Sequence, residues 1–284
     1  MQISKAVITA AGPDQGSLPL QTLVDRHGQN RTALQLIAEE VVSAGIEEIC
    51  IVVRPGDGEP YKKAAGEYAG RLQFVEQDNP RGYGDALLRS ADFVGDQPFL
   101  HLVSDHLYLS TTELTCARQL VELAQREECA VSAVQATREN KLPFFGTVGA
   151  QRITGTTDLY EVSKVIEKPT PTVAEQELVV AGLRAGYYLC LFGMHVLTPA
   201  VMAILGEKLG ATQNGTKFQL ADALSELARR ERYLAIQIAG ARHNIGVKYG
   251  LLRSQLALAL SGSDRDQILS DLVEMLANTD RSGN

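Results

Sequence analysis

The chain reads Gln77-Asp78-Asn79-Pro80-Arg81-Gly82-Tyr83-Gly84-Asp85-Ala86-Leu87 between an apolar run at residues 72–76 and a helical pattern that begins near Ala86. Gly82 and Gly84 follow a proline, and glycines in a turn let the backbone come close to a flat ligand. A helix that starts there offers free N–H groups and the positive end of its dipole to an anion. Taken alone, the same stretch is also typical of an ordinary glycine-rich turn.

Strands and helices alternate on both sides of this loop. Short apolar runs predict strands at residues 6–10, 48–53, 72–76, 99–103 and 130–136. Apolar residues at helical spacing predict helices at residues 32–44, 61–68, 85–92 and 111–126, the last with Thr111 or Thr112 as its N-cap. Such alternation implies right-handed parallel crossovers, so we predict an α/β fold with a doubly wound mixed, mostly parallel sheet.

The second half of the chain has shorter predicted strands and longer loops. Helical patterns follow at residues 198–209, 218–230, 247–260 and 267–276. We predict one continuous domain over residues 1–255 and a C-terminal helical tail over residues 256–284. The tail is expected either to cap the domain or to form a contact between copies of the chain in a homo-oligomer.

Three residues that can contact a ligand follow predicted strands. Gly12, Gln77 and Asp105 lie at or just beyond the ends of their strands. Ligands of doubly wound sheets gather at the carboxyl ends of the strands. The topology alone therefore predicts that these residues lie at one site.

Composition narrows the class of protein. The chain has 284 residues, of which 45% are hydrophobic, and a formal net charge of −7, so it can bury a large core. No cluster of Lys and Arg predicts a nucleic-acid partner, and no apolar run approaches about 18 residues, so no membrane segment is predicted. The four cysteines are scattered without C-x-x-C spacing, which fits a cytoplasmic protein, and Cys50 and Cys190, which lie in apolar runs, are interpreted as core residues.

Eight short motifs, in order, resemble those of sugar-phosphate nucleotidyltransferases, and most of all UTP–glucose-1-phosphate uridylyltransferases. Residues 77–87 resemble the family's Q-x-x-P-x-G-x-G element. The other motifs are Lys5-Ala6-Val7-Ile8-Thr9-Ala10-Ala11-Gly12, Val103-Ser104-Asp105-His106, Phe145-Gly146-Thr147-Val148, Val165-Ile166-Glu167-Lys168-Pro169, Ala185-Gly186-Tyr187-Tyr188, Gly215-Thr216-Lys217-Phe218-Gln219-Leu220-Ala221-Asp222-Ala223 and His243-Asn244-Ile245-Gly246-Val247-Lys248-Tyr249-Gly250.

The resemblance implies a Rossmann-like nucleotidyltransferase fold with a nucleotide-binding half at about residues 1–136 and a sugar-binding half at about residues 137–255. It also implies an activity: transfer of a nucleotidyl group, in this case uridylyl, from a nucleoside triphosphate to a sugar 1-phosphate, here glucose 1-phosphate, with release of pyrophosphate. Both reactants are anions, so Mg²⁺ is the expected cofactor.

Catalytic roles are predicted for Asp105 and Lys168. Asp105 comes directly after an apolar strand, where its carboxylate can bind Mg²⁺, although a lone aspartate more often caps a helix or a turn. Lys168 is expected to neutralise the sugar phosphate, and Glu167 to accept hydrogen bonds from sugar hydroxyls. A solvated charged pair before Pro169 is the alternative for these two residues.

The remaining predicted site residues follow from the resemblance. Nucleotide-binding roles fall to Ala11, Gly12, Gln77, Pro80 and Gly82. Sugar-binding roles fall to Gly146, Glu167, Lys168, Gly186 and Tyr187, while Tyr188 is interpreted equally well as a core residue. The amide of Gln77 offers a donor and an acceptor, which suits the imide edge of a pyrimidine.

The chain departs from the family pattern at several positions. Gly16 stands where the family has an arginine, and the proline–lysine pair expected shortly after it is missing. Asn244 replaces an aspartate. Its amide oxygen can still bind Mg²⁺, but it lacks the negative charge of a carboxylate, which holds the ion tightly. Lys217 replaces a glutamate, and Asp85 replaces a histidine, where it is expected to cap the next helix.

Two other functions remain open at this point. A catalytically weak or silent nucleotide-sugar binder with a regulatory role would explain the departures at the triphosphate end of the site. Arg26, Arg31 or Lys5 would have to replace the missing cations in an active enzyme. An unrelated α/β oxidoreductase would need G-x-G-x-x-G before the first helix, which residues 12–17 do not supply.

Overall fold

The computed structural model describes residues 1–13, 16–211 and 218–279. These residues form thirteen strands and ten α-helices. The strands are β1 (Lys5–Thr9), β2 (Thr22–Val24), β3 (Asn30–Thr32), β4 (Glu48–Val53), β5 (Leu72–Glu76), β6 (Phe99–Val103), β7 (His106–Ser110), β8 (Ala130–Arg138), β9 (Thr147–Arg152), β10 (Leu159–Ile166), β11 (Tyr187–Leu197), β12 (Tyr233–Gln237) and β13 (Gly240–Asn244). The helices are α1 (Ala33–Ser43), α2 (Gly58–Ala64), α3 (Tyr83–Leu88), α4 (Ala91–Val94), α5 (Cys116–Glu127), α6 (Pro171–Glu177), α7 (Ala200–Ala211), α8 (Leu220–Arg230), α9 (Gly250–Leu260) and α10 (Arg265–Thr279).

Strands β5, β4, β1 and β6 lie side by side in that order, and each adjacent pair is parallel. Consecutive side chains of a strand point to opposite faces, and β1 shows the result. Ala6 and Ile8 belong to a core that includes residues of α1 and α5, whereas Val7 belongs to a second core with residues of α3 and α8. Both faces of this parallel unit are therefore covered, as its continuous apolar runs predict.

The sheet continues beyond β6 in the order β11, β8, β12, β10 and β9. Strand β9 pairs with β11 as well as with β10, so the last five strands close into a small barrel. Within this part, β11 is antiparallel to β6, β8 and β9, and β10 is antiparallel to β9 and β12.

The predicted mostly parallel sheet therefore describes only part of the observed one. Among the described strands, parallel pairing is restricted to the β5-β4-β1-β6 unit and to β8 with β12. The physical reason is the connection lengths after β8. Arg152 ends β9 and Leu159 begins β10, and so short a connection joins antiparallel neighbours, not parallel ones. The observed fold is α/β with a mixed sheet.

The region after Asp105 differs from the predicted helix at residues 111–126. Residues 106–110 form β7, which pairs with β13, and the helix begins only at Cys116. Its N-cap is Thr115, whose side chain accepts a hydrogen bond from the backbone of Arg118 at 3.3 Å. Ser110 bonds the carbonyl of Leu114 at 2.5 Å, which holds the intervening residues in a turn instead of a helical first turn.

Helices α9 and α10 form the C-terminal end of the described chain. Helix α9 runs across the boundary predicted at residue 255, and α10 exposes Val273, Met275 and Leu276. The proposed contact between copies of the chain stays a prediction. Within the described ranges, no helix combines the length and the apolar character that crossing a bilayer requires.

Candidate active site

A cleft of about 630 Å³ opens where β1, β5 and β6 end, and residues at the end of β10 and along β11 form its opposite wall. This volume is in the usual range for pockets that hold small organic ligands. The cleft brings together all the predicted site residues except Gly186 and Tyr187. Those that line it are Ala11, Gly12, Gln77, Pro80, Gly82, Asp105, Gly146, Glu167, Lys168 and Asn244.

Gln77 lies just after β5 and is 4% exposed. Its side-chain nitrogen Nε2 donates a hydrogen bond to Oδ2 of Asp85 at 2.6 Å. Asp85 is itself 1% exposed and accepts a second bond from Arg81 at 2.9 Å. Because an ionised carboxylate only accepts hydrogen bonds, it fixes which end of the Gln77 amide is nitrogen. The side-chain oxygen of Gln77 is therefore the end that can accept from a ligand.

Asp85 does not have the capping role predicted for it. Helix α3 begins at Tyr83, before Asp85, and no side chain caps its N-terminus. The carboxylate is instead buried inside the first turn, where it forms ion pairs with Arg81 and Arg89 and accepts a hydrogen bond from Gln77. The prediction was wrong because the predicted helix begins at residue 85, two residues after the observed start at Tyr83.

Gly82 and Gly84 make close contacts, but with protein atoms. A Cβ on Gly82 would lie 2.8 Å from the backbone nitrogen of Phe218 and closer still to its carbonyl oxygen. A Cβ on Gly84 would lie 2.7 Å from the Phe218 ring. Backbone hydrogen bonds from Phe218 to Arg81 and from Gly84 to Phe218 join the two segments. The glycines thus let the loop dock on Phe218, and Gly82 also lines the cleft.

Asp105 and Asn244 meet because β7 and β13 pair. The backbone of Ile245 donates to the carbonyl of Asp105 at 2.8 Å. Oδ2 of Asp105 and Oδ1 of Asn244 lie 3.7 and 3.3 Å from the point where Gly246 would carry a Cβ. The missing side chain of Gly246 leaves both oxygens beside one space.

This pair of oxygens fits a hard divalent cation, since Mg²⁺ is commonly held by one or two carboxylates together with substrate phosphates. Within the described part of the chain, no group of three or more His, Cys, Asp or Glu side chains is placed to hold a metal. A Mg²⁺ ion at this point would therefore depend on the substrate for further ligands. Oδ1 of Asp105 is also bonded by Nδ1 of His106 at 2.7 Å, and Oδ1 of Asn244 by the Gly246 backbone at 2.8 Å.

Glu167 and Lys168 follow β10 directly. Nζ of Lys168 lies 3.7 Å from Oε1 of Glu167, and the Lys168 side chain is 56% exposed. Burial raises the pKa of Glu167, and the neighbouring ammonium of Lys168 opposes that rise. A Cβ on Gly146 would stand 3.1 Å from Oε2 of Glu167, so a glycine at that position makes room for the carboxylate.

Lys168 has a backbone φ of +45°, in the left-handed region that residues other than glycine rarely adopt. Proline at the next position restricts its backbone further. Strained backbone of this kind is concentrated at functional sites and costs of order 1–3 kcal/mol. The sequence signal Glu-Lys-Pro located the residue but gave no indication of the strain.

Gly186 and Tyr187 are not among the described residues that line the cleft, and their sugar-binding roles stay a prediction. Tyr187 is the first residue of β11 and pairs with Arg138, whose Nε donates to the tyrosine hydroxyl at 2.8 Å. Leu191 is the first residue of β11 that lines the cleft, about 13 Å further along an extended strand. Tyr188 is buried in a small core. Lys217, which replaces a glutamate of the family pattern, lies outside the described residues.

Sequence reasoning missed Gly193 and His195, which β11 contributes to the cleft. Gly193 has φ +83° and lies where the pairing of β11 with β8 shifts register. A glycine within a long apolar strand is the signal that could have predicted such a bulge. His195 stacks on His101, and burial lowers the pKa of His195 to about 3, so its imidazole is neutral.

The mixed sheet and the cleft at the ends of its parallel strands define an α/β protein whose cleft has the size of a small-molecule site. In a comparison with models of protein families, the family described as Nucleotidyl transferase matches residues 21–241. The chain belongs to this family. The resemblance inferred from the eight motifs is thereby confirmed.

Among curated relatives, the chain is 28% identical to a UTP–glucose-1-phosphate uridylyltransferase of Streptococcus pneumoniae serotype 4, over 97% of this chain and 95% of the relative. It is 26% identical to UTP–glucose-1-phosphate uridylyltransferase 1 of Streptococcus pyogenes serotype M1, over 95% and 92%. Among solved structures, a UDP-glucose pyrophosphorylase complexed with UDP-glucose matches with a TM-score of 0.71 at 23% identity, over 90% of this chain and 98% of that one. The UDP-glucose pyrophosphorylase of Acinetobacter baumannii matches with a TM-score of 0.73 at 21% identity, over 97% and 100%. These structures share the fold of the present chain.

Proposed function

We propose that the protein transfers a uridylyl group from UTP to glucose 1-phosphate, forming UDP-glucose and pyrophosphate. The observation that carries this proposal is that one cleft is lined by Gln77, Gly82, Asp105, Glu167 and Lys168 together. The printed names of the relatives support the choice of UTP and glucose 1-phosphate.

The reaction needs no covalent enzyme intermediate. A phosphate oxygen of the sugar phosphate attacks the α-phosphorus of UTP and forms a new P–O bond. The bond from the α-phosphorus to the bridging oxygen breaks, and pyrophosphate leaves with that electron pair. Both reactants are anions, so positioning and neutralisation of charge supply most of the catalysis.

Lys168 neutralises the sugar phosphate in this proposal, and Glu167 orients the sugar by accepting hydrogen bonds from its hydroxyls. Asp105 and Asn244 would hold Mg²⁺, which when bound offsets the negative charge of the phosphates. Nζ of Lys168 lies 3.7 Å from Oε1 of Glu167, and both residues line the cleft.

Base recognition is proposed to depend on Gln77. Its nitrogen is committed to Asp85, so its oxygen is left to accept from a ring N–H. Uracil and thymine carry such a donor at N3, whereas the corresponding ring nitrogen of cytosine is an acceptor. This arrangement supports a uracil nucleotide over a cytosine nucleotide.

We also propose a cytoplasmic location, which the four buried, unpaired cysteines support.

The test is pyrophosphate release by the pure protein with Mg²⁺, glucose 1-phosphate and one nucleoside triphosphate at a time. We expect release with UTP, and little or none with CTP. Release with a different triphosphate would correct the proposed nucleotide. The absence of release with every combination of triphosphate and hexose 1-phosphate would overturn the proposed activity.

A silent nucleotide-sugar binder is the second candidate function, and one observation favours it. Among the described residues that line the cleft, Lys168 is the only Lys or Arg, which is few cations for a triphosphate and a sugar phosphate. Tight UDP-glucose binding by calorimetry without any turnover would support this second function.

A further inference from the structure

The loop after β1 meets an arginine from another strand. Gly16 is buried, and a Cβ built on it would lie 2.8 Å from Cζ of Arg54, with one guanidinium nitrogen closer still. A side chain at position 16 would therefore collide with the Arg54 guanidinium in its present position. The guanidinium occupies the space that a side chain at position 16 would enter.

Arg54 is held at the edge of the cleft by two described hydrogen bonds. Its terminal nitrogen donates to the carbonyl of Pro13 at 3.2 Å, and Pro13 lines the cleft. Its Nε bonds Oδ2 of Asp57 at 3.1 Å. Arg54 directly follows β4, the parallel neighbour of β1, so it lies at the same carboxyl edge as the loop that begins at Ala10.

The other cations considered for this role lie elsewhere. Arg31 forms an ion pair with Glu67 at 2.8 Å, and Lys5 bonds the carbonyl of Phe93 at 2.7 Å. Arg26 lines a separate small cavity beside Glu40. Of the cations weighed as replacements, none reaches the loop at Pro13 as Arg54 does.

We propose that Arg54 binds the β- and γ-phosphates of the nucleoside triphosphate, and so supplies from the end of β4 the cation that position 16 lacks. This inference rests on the proposed function, since it assigns a phosphate-binding residue to the same site. A guanidinium can bind phosphate through two parallel hydrogen bonds. The competing ion pair with Asp57 is weak, because both side chains are partly exposed.

The decisive experiment compares the affinities of UTP and UMP, measured by calorimetry with Mg²⁺ present, for the wild type and R54A. A charge-assisted contact to the outer phosphates contributes to UTP binding only, so R54A should weaken UTP binding about 10- to 100-fold and leave UMP binding within threefold. R54K keeps the charge without the planar fork and should fall between the two. R118A is the control. Arg118 is about as exposed as Arg54 and pairs with Glu122 on α5, so R118A should bind UTP and UMP as the wild type does.

A swap sharpens the test. In R54A/G16R, the space left by Arg54 accommodates an arginine at position 16, and UTP affinity should recover at least tenfold over R54A. G16R alone places two side chains in one space and should bind UTP less well than the wild type. A folded double variant that binds UTP no better than R54A would overturn the claim that the two positions serve the same phosphates.

Failure of the inference and failure of the proposed function give different results. Equal UTP affinity for wild type and R54A overturns the role of Arg54, even if the wild type releases pyrophosphate. A wild type that binds UTP a hundredfold better than R54A does, but releases no pyrophosphate, supports Arg54 and overturns the transferase activity. If R54A does not fold, R54Q, which keeps a polar head of similar length, carries the same comparison.

Discussion

The two walls of the cleft are built in different ways. The wall that we propose binds the nucleotide, here called the nucleotide wall, contains Gln77 and Gly82 and is shaped by backbone: Gly82 lies against the backbone of Phe218, and Gln77 bonds the buried Asp85. The wall that we propose binds the sugar phosphate, here called the sugar wall, is shaped by the charged side chains of Glu167 and Lys168, of which Lys168 is more than half exposed.

The difference implies that one wall recognises its ligand by shape and the other by charge. A flat base is selected by a rigid surface and by a few fixed hydrogen bonds, so the nucleotide wall tolerates little change of backbone. A sugar phosphate is bound by charge and hydroxyl contacts, so the sugar wall should tolerate changes of shape but not of charge. Four predictions test that contrast.

Gly82→Ala should have the largest effect. Gly82 has φ +121°, and an added Cβ would collide with backbone atoms of Phe218, which cannot move aside as a flexible side chain can. We expect a loss of more than about 2 kcal/mol in the free energy of unfolding, and a large loss of UTP affinity. Urea unfolding and calorimetry measure the two effects.

Gly84→Ala is the matched control for that prediction. Its Cβ would meet the Phe218 ring and Leu205, side chains that can shift, and alanine favours the helix in which Gly84 lies. We expect a clearly smaller loss of stability. Equal losses in the two variants would contradict the view that backbone contact shapes this wall.

Lys168→Ala should lower kcat/KM for glucose 1-phosphate by about 10²- to 10³-fold, because it removes the ammonium that neutralises the sugar phosphate. The measurement is initial-rate kinetics of pyrophosphate release. Lys164→Ala is the control, since Lys164 lies on β10 four residues before Lys168 and pairs with Glu177 instead of lining the cleft. A loss of similar size in both variants would point to a general effect of charge on β10.

Glu167 should make sugar binding depend on pH. Burial raises its pKa above that of an ordinary glutamate, and only the ionised form accepts hydrogen bonds through both oxygens. Affinity for glucose 1-phosphate should therefore fall as the pH is lowered through this raised pKa, beginning above about pH 4.3, the usual value for glutamate.

Glu167→Gln is the comparison, because it keeps the size of the side chain and cannot ionise. The phosphate of the ligand also titrates near pH 6, but it does so with both proteins, so the difference between the two pH profiles reports Glu167. Parallel profiles for the wild type and E167Q would contradict the prediction.

Lys168→Gly should have the smallest effect, on stability. Glycine adopts φ +45° without strain, so K168G should be more stable than K168A by about 1 kcal/mol, although both lack the charge. At Lys164, within β10, the order should reverse, because glycine weakens a strand. Urea unfolding of the four variants measures this, and a K168A that is as stable as K168G would show that the backbone is not strained.

The parallel unit could be predicted closely. The predicted strands at residues 48–53, 72–76 and 99–103 are β4, β5 and β6. Strands β4 and β6 lie inside the sheet and are mostly buried, so their sequences are mostly apolar, whereas β5 is the edge strand and exposes Gln73 and Glu76. The carboxyl-edge rule then located Gly12, Gln77 and Asp105 at one cleft.

What could not be predicted depends on contacts between distant parts of the chain. The pairing of β7 with β13 brings Asn244 opposite His106, and no local pattern announces it. The burial of Asp85 and the contact of Arg54 with Gly16 likewise depend on packing. The motif that predicted a site role for Tyr187 gave no indication that this residue begins β11, four residues before the first residue of the strand that lines the cleft.

The position of β11 has a consequence for synthesis of the chain on the ribosome. Strand β11 lies between β6 and β8, and β8 has β11 and β12 as its neighbours in the sheet. All of β8 is therefore made before either of its partners exists, and β6 waits with one open edge. Open strand edges attract other chains, and nascent intermediates that expose them are prone to aggregate. A product that stops between residues 139 and 186 keeps these edges open, which makes it a substrate for chaperones and proteases.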